Sequence, residues 1–110
     1  MPGSGKRRSL PRILDALRDY DAERIYLFGS VARGEADDLS DVDLVIIKRT
    51  TQPWLDRLRE VARLLPTDVG GVDALVYTPE EFARMLDEGN AFAEMIAEEG
   101  RVLYERQAQG

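Results

Sequence analysis

Two aspartates one residue apart, Asp41 and Asp43, stand at the start of the clearest strand signal in the chain, Val42 to Ile47. An extended strand turns residues i and i+2 to the same side. The pair therefore shares a face, while Val42 points into the core. Two carboxylates about 5 to 7 Å apart can share one or two hard divalent cations. A third acid, Asp73, opens another apolar run, Val72 to Tyr77. At an effective dielectric near 20, two carboxylates about 5 Å apart repel by roughly 3 kcal/mol. Three of them in one cleft call for a neutralising cation, or for a proton on one of them.

A second cluster precedes the first. The apolar run Ile25 to Phe28 ends abruptly at Gly29-Ser30. Glycine lets the backbone approach a ligand closely, serine adds a hydroxyl, and a helical turn over Val31 to Gly34 would aim its amides at an anion. Together these suit a phosphate. A P-loop is excluded, because no Gly-Lys-Ser/Thr follows at the required spacing. Asp37 and Asp38 read as loop solvation, and Trp54 as core or interface rather than a base-stacking platform.

What the chain lacks narrows the chemistry further. It has no cysteine and no histidine, so disulfides, thiolate nucleophiles, cysteine zinc sites and the usual general base are all missing. Catalysis is left to carboxylates, hydroxyls, amines and bound cations, and oxygen ligands select magnesium or manganese over zinc or copper. A net charge of -6 argues against broad nucleic-acid binding, since a phosphate backbone would meet net repulsion. The basic residues Lys6, Arg7, Arg8 and Arg12 cluster at the start. Residues 1–8 are read as a disordered basic tail and residues 9–110 as one domain. No apolar run approaches the roughly 20 residues of a membrane span. No signal-peptide segment follows the basic start, so a cytoplasmic location is expected.

The elements that must position these residues can be read in order. Ser9 caps a first helix carrying Leu10, Ile13, Leu14 and Leu17, with Pro11 in its first turn. Strands are predicted at Arg24 to Phe28, Val42 to Ile47 and Val72 to Tyr77, with a short last one at Val102 to Tyr104. Thr51 to Leu65 reads as an amphipathic helix with stripe Leu55, Leu58, Ala62 and Leu65. Thr78-Pro79-Glu80-Glu81 opens another helix with a capping box, and Ala91 to Glu99 forms one more, with its Ala91–Ile96 segment in the core. This is an α/β (α+β) domain: a small sheet covered by helices. If the Thr51–Leu65 helix is a parallel crossover, Asp73 starts its strand beside Asp41 and Asp43. Gly29 reaches that same edge only if the first strand runs antiparallel to the second. The sheet must then be mixed.

Gly29-Ser30-Val31-Ala32-Arg33-Gly34, then Ser40-Asp41-Val42-Asp43-Leu44, then Asp73 on a later strand: this set resembles the signature of the DNA polymerase β-type nucleotidyltransferase superfamily. Within it, the chain is similar to the small stand-alone members called minimal nucleotidyltransferases. The motifs cover Ile25 to Tyr77, and length and helix pattern extend the likeness over the rest. The resemblance implies transfer of a nucleoside monophosphate, AMP from ATP, with release of pyrophosphate. On the matching positions it implies that Asp41 and Asp43 ligate two magnesium (or manganese) ions. Asp73 would hold the ion that lowers the pKa of the attacking hydroxyl. Gly29 and Ser30 would bind the β/γ-phosphates, and Arg33 either reaches a phosphate or serves packing or a salt bridge. Lys48 and Arg49 read as solvated strand-end charge. The length leaves no room for the second domain that selects an acceptor in larger relatives. Minimal members resemble antitoxin subunits that pair with a small all-helical HEPN-domain protein. That implies a HEPN-type partner, either nucleotidylated on a hydroxyl or neutralised by contact alone.

Overall fold

Val42-Asp43-Leu44-Val45-Ile46-Ile47 is apolar at every position but one, the pattern of a strand covered on both faces. A computed structural model describes residues 4–29, 32, 34 and 41–106, with side chains from residue 10 onward. In it this segment, β2 (Val42–Ile47), is a central strand of which only Asp43 escapes full burial. Its neighbours are β1 (Arg24–Phe28), antiparallel, and β3 (Val72–Tyr77), parallel. A fourth strand, β4 (Arg101–Glu105), pairs antiparallel with β1 and completes the order β3-β2-β1-β4. The mixed sheet expected from the Gly29 argument is the sheet that forms.

Four helices are described: α1 (Ser4–Ala16), α2 (Trp54–Leu64), α3 (Pro79–Asp87) and α4 (Ala91–Glu99). One face of the sheet presents Ile25, Leu27, Val42, Leu44, Ile46 and Val76 to Ile13, Leu17, Tyr20 and Val61 from α1, the turn after it, and α2. The other presents Tyr26, Val45 and Ile47 to Phe82 of α3 and to Ala93 and Ile96 of α4. Helices therefore cover both faces, in three layers. None of the described helices is long and apolar enough to cross a membrane.

The two C-terminal helices follow their local signals. Thr78 accepts from the Glu81 amide and Glu81 reaches back to the Thr78 amide, a complete capping box with Pro79 at the first helical position. Asn90 caps α4 through the Ala93 amide. Within the Ala91–Ile96 segment, Ala93 and Ile96 are buried as core.

Two helices depart from expectation. α1 begins at Ser4 rather than at a Ser9 cap, so residues 4–8, assigned by sequence to the tail, are helical. Lys6, Arg7 and Arg8 are good helix formers and let the helix run back past the serine. Pro11 consequently lies inside α1, not in its first turn, and its missing N–H removes one intrahelical bond. α2 starts at Trp54, with Pro53 and not Thr51 as the preceding cap residue. Its buried face is also rotated: Val61 and Arg57 are buried, while Leu55 is 60% exposed.

Arg57 explains that rotation. Its Nε donates to the Gln52 carbonyl at 2.9 Å, and Nη1 donates to the Val76 carbonyl at 3.2 Å. Both Nη atoms donate to the Glu81 carboxylate, at 2.7 and 3.2 Å. With all three guanidinium nitrogens donating, the charge is tolerated inside and ties α2 to the start of α3. The same contact holds the Glu81 carboxyl below the ordinary glutamate range, through the Arg57 hydrogen bonds first. A depressed carboxyl pKa adds stability above the unfolded value and loses it as pH falls through the folded value. Glu81→Gln should therefore flatten the loss of stability on acidification below the usual carboxylate range. Because the Glu81 side chain is 43% exposed, the gain at neutral pH is modest, about 1 kcal/mol or less. Urea melts of both proteins at neutral and acid pH check this; equal acid sensitivity would count against it.

Candidate active site

β2 and β3 run parallel with Val42 opposite Val72 and Asp43 opposite Asp73. Asp41 precedes β2, and the Val42 amide donates to the Gly71 carbonyl at 3.0 Å, which extends the pairing one rung outward. Asp41 and Asp43 lie on the same side of β2 as Val45 and Ile47. Asp73 lies on the same side of β3 as Tyr77. All three acids thus share the face covered by α3 and α4, at the edge where β2 and β3 begin. Asp41 and Asp73 are exposed there, and Asp43 is half-buried.

β1 brings its end to this edge from the opposite direction. Phe28 pairs with Asp43, so the chain leaves the sheet at Gly29 beside that carboxylate. Gly29 has φ +77°, a conformation that favours glycine. A Cβ built there would collide with Asp43 Oδ2. The backbone therefore passes directly under the carboxylate. Ser30 and Arg33 lie outside the described residues, as do Asp37 and Asp38.

Sequence reasoning passed over two features of this edge. The Gly70-Gly71 pair reads as a turn, yet a Cβ on Gly71 would collide with Asp41 Oδ1. Its spacing of two residues from Asp73 is the signal that places it on the same face. Phe28, next to Asp43 in the register, packs edge-on against Phe92 of α4 with ring centroids 5.4 Å apart. That pair makes an apolar wall beside the acids. It was hidden because Phe92 reads as an ordinary core residue.

Other candidates fall at the far end of the sheet. Lys48 donates to the Tyr20 carbonyl and sits 4.5 Å from the centroid of its ring. Arg49 pairs with Glu23 and Glu80, both at 3.0 Å. Trp54 packs on Tyr77, centroids 5.2 Å apart. A cleft of about 1050 Å³ also opens at that end, floored by Ile47, Phe82 and Leu86. Its guanidiniums are already paired, Arg24 with Glu105 and Arg106 with Asp21. Size alone does not make it the place for phosphate chemistry; the acids stand elsewhere.

The acidic edge suits a hard cation by its donors, which are all carboxylate oxygens, and by the two glycines that leave space against them. Among the described residues no three acidic side chains already converge on one point that would hold a metal ion. Asp41, Asp43 and Asp73 share a face and an edge, and closing on an ion needs rotation about their side-chain bonds.

Comparison with known proteins agrees with this geometry. The family described as Polymerase beta, Nucleotidyltransferase matches residues 12–109. A crystal structure at 1.40 Å of a candidate nucleotidyltransferase from Sulfolobus solfataricus superimposes with a TM-score of 0.65 at 23% identity. The match covers 94% of this chain and 86% of that one, and at this identity it speaks for the fold. No curated protein matches the chain significantly. A strand ending in a glycine turn, beside paired aspartates and a third on the parallel neighbour, lies within a match spanning nearly the whole chain: the protein belongs to the polymerase beta nucleotidyltransferase family.

Proposed function

We propose that the domain transfers a nucleoside monophosphate, AMP from ATP, to a hydroxyl acceptor, with Asp41, Asp43 and Asp73 holding two magnesium or manganese ions. The observation that supports this most is the register: Asp43 is opposite Asp73 on one face, with Gly29 running beneath Asp43. Bound magnesium would supply charge neutralisation for the triphosphate and activation of the attacking oxygen. The chain's own residues do the rest. Gly29 presents backbone close to the acids, and Ser30, by its place in the motif, offers a hydroxyl to the β/γ-phosphates; Arg33 is a further candidate for phosphate contact. The acceptor oxygen attacks the α-phosphorus, the bond from that phosphorus to the α–β bridging oxygen breaks, and pyrophosphate leaves. With no histidine in the chain, the acceptor proton passes to solvent or to a carboxylate on this edge.

The acceptor we favour is a hydroxyl on a small all-helical HEPN-type partner, with the domain acting as an antitoxin in the cytoplasm. The acidic net charge of -6 favours a protein over a nucleic acid as acceptor. Incubation with labelled ATP, magnesium and the product of a neighbouring gene should add the mass of one nucleotide to that product. Neutralisation of the partner with no added mass would replace catalysis by contact as the mode of action.

A further inference from the structure

The face that carries the acids has four corners at its edge: positions 41 and 43 on the β2 side, 71 and 73 on the β3 side. Three are aspartates and the fourth is Gly71. The backbone does not ask for glycine there. The positive φ angle of the turn belongs to Gly70, at +85°, and Gly71 is not among the residues with positive φ. The reason for glycine lies in the space above it. The three atoms nearest to a Cβ at position 71 are all in the Asp41 carboxyl group: Oδ1 in direct collision, Cγ at 2.8 Å and Oδ2 at 3.5 Å.

We infer that Gly71 is a positioning residue for the cation site: its missing side chain lets the Asp41 carboxylate lie across β3, toward Asp73. The inference rests on the nucleotidyltransferase reading of the three acids. The Val42–Gly71 hydrogen bond at 3.0 Å fixes the two backbones at this rung, so neither can retreat from an added methyl group. The carboxylate is the end of a rotatable side chain and gives way instead. Alanine at 71 therefore turns Asp41 off the shared face while leaving the backbone and the core as they are. A ligand displaced in this way weakens metal binding much as loss of an orienting contact does, by about ten- to a hundredfold.

The test is a double-mutant cycle on the full chain, read as Mn²⁺ affinity by electron paramagnetic resonance with a non-hydrolysable ATP analogue present. Wild type, Gly71→Ala, Asp41→Ala and the double variant are compared, and each is melted by circular dichroism. Gly71→Ala should bind Mn²⁺ about ten- to a hundredfold more weakly. In the Asp41→Ala background the same change should have no further effect, because nothing is left to displace. Should Gly71→Ala also melt earlier, removing the Asp41 side chain should restore its melting temperature. Unchanged affinity in Gly71→Ala, losses that simply add, or a melting loss that Asp41→Ala does not restore would each overturn the role of Gly71 alone. Failure of the wild type itself to bind Mn²⁺ would overturn the metal reading of all three aspartates, and this inference with it.

Discussion

Asp43→Ala is expected to lower the rate of nucleotidyl transfer by about a thousandfold or more, with the fold intact. The size follows from what the residue is asked to do. Charge stabilisation by a bound cation is worth several kcal/mol in a transition state, and each 1.36 kcal/mol is about a tenfold change in rate. Asp43 is the one position in β2 that is not fully buried, it faces Asp73 across the register, and it lies over Gly29. Removing it also relieves repulsion within the acidic edge, which offsets the loss of its own contacts. Melting should therefore stay within about 5 °C of the wild type. Single-turnover transfer from labelled ATP, beside a melt by circular dichroism, reads both quantities. Transfer at the wild-type rate would remove Asp43 from the chemistry.

Ile46→Ala should do the reverse. Ile46 is fully buried on the central strand, inside the cluster that joins the sheet to α1 and α2. Truncating a buried isoleucine removes apolar contact and leaves a cavity, at a cost of about 2–5 kcal/mol. A domain of this size has only about 5–15 kcal/mol to lose. The melting temperature should fall by at least about 10 °C. The acids stand at the other end of β2, where the register is held by hydrogen bonds to β1 and β3. Below the melting transition, transfer per folded molecule should stay within about threefold of wild type, since sites in separate clusters act nearly independently. Chemical denaturation and an activity assay at low temperature check the pair of expectations. A melting temperature unchanged from wild type would mean that the sheet is not the stabilising core.

The contrast between these two residues shows why so much of the domain was legible. Strand identity depends on runs of β-branched and apolar residues, and β1, β2 and β3 announce themselves that way. The mixed topology followed from one chemical demand, that Gly29 and the aspartates meet at one edge. Helix α3 was marked at its start by a capping box whose reciprocal bonds join two residues only three apart in the chain. What sequence missed was set by tertiary partners. The buried face of α2 could not be read from hydropathy, because an arginine occupies the inside and a leucine the outside. Arg57 earns its position from Glu81, which is 24 residues away. The start of α1 was misplaced because a serine that can cap a helix need not do so when good helix formers precede it. Gly71 looked like turn punctuation, and only the carboxylate above it gives the other reason for glycine.

Crystals grown with manganese and a non-hydrolysable ATP analogue, with diffraction measured at the manganese absorption edge, address the shared site itself. Anomalous peaks should lie at the shared edge of β2 and β3, with oxygens of Asp41, Asp43 and Asp73 all within coordination distance and the triphosphate against the Gly29 turn. Manganese bound elsewhere, or held at this edge without Asp73, would contradict a site built from these three side chains.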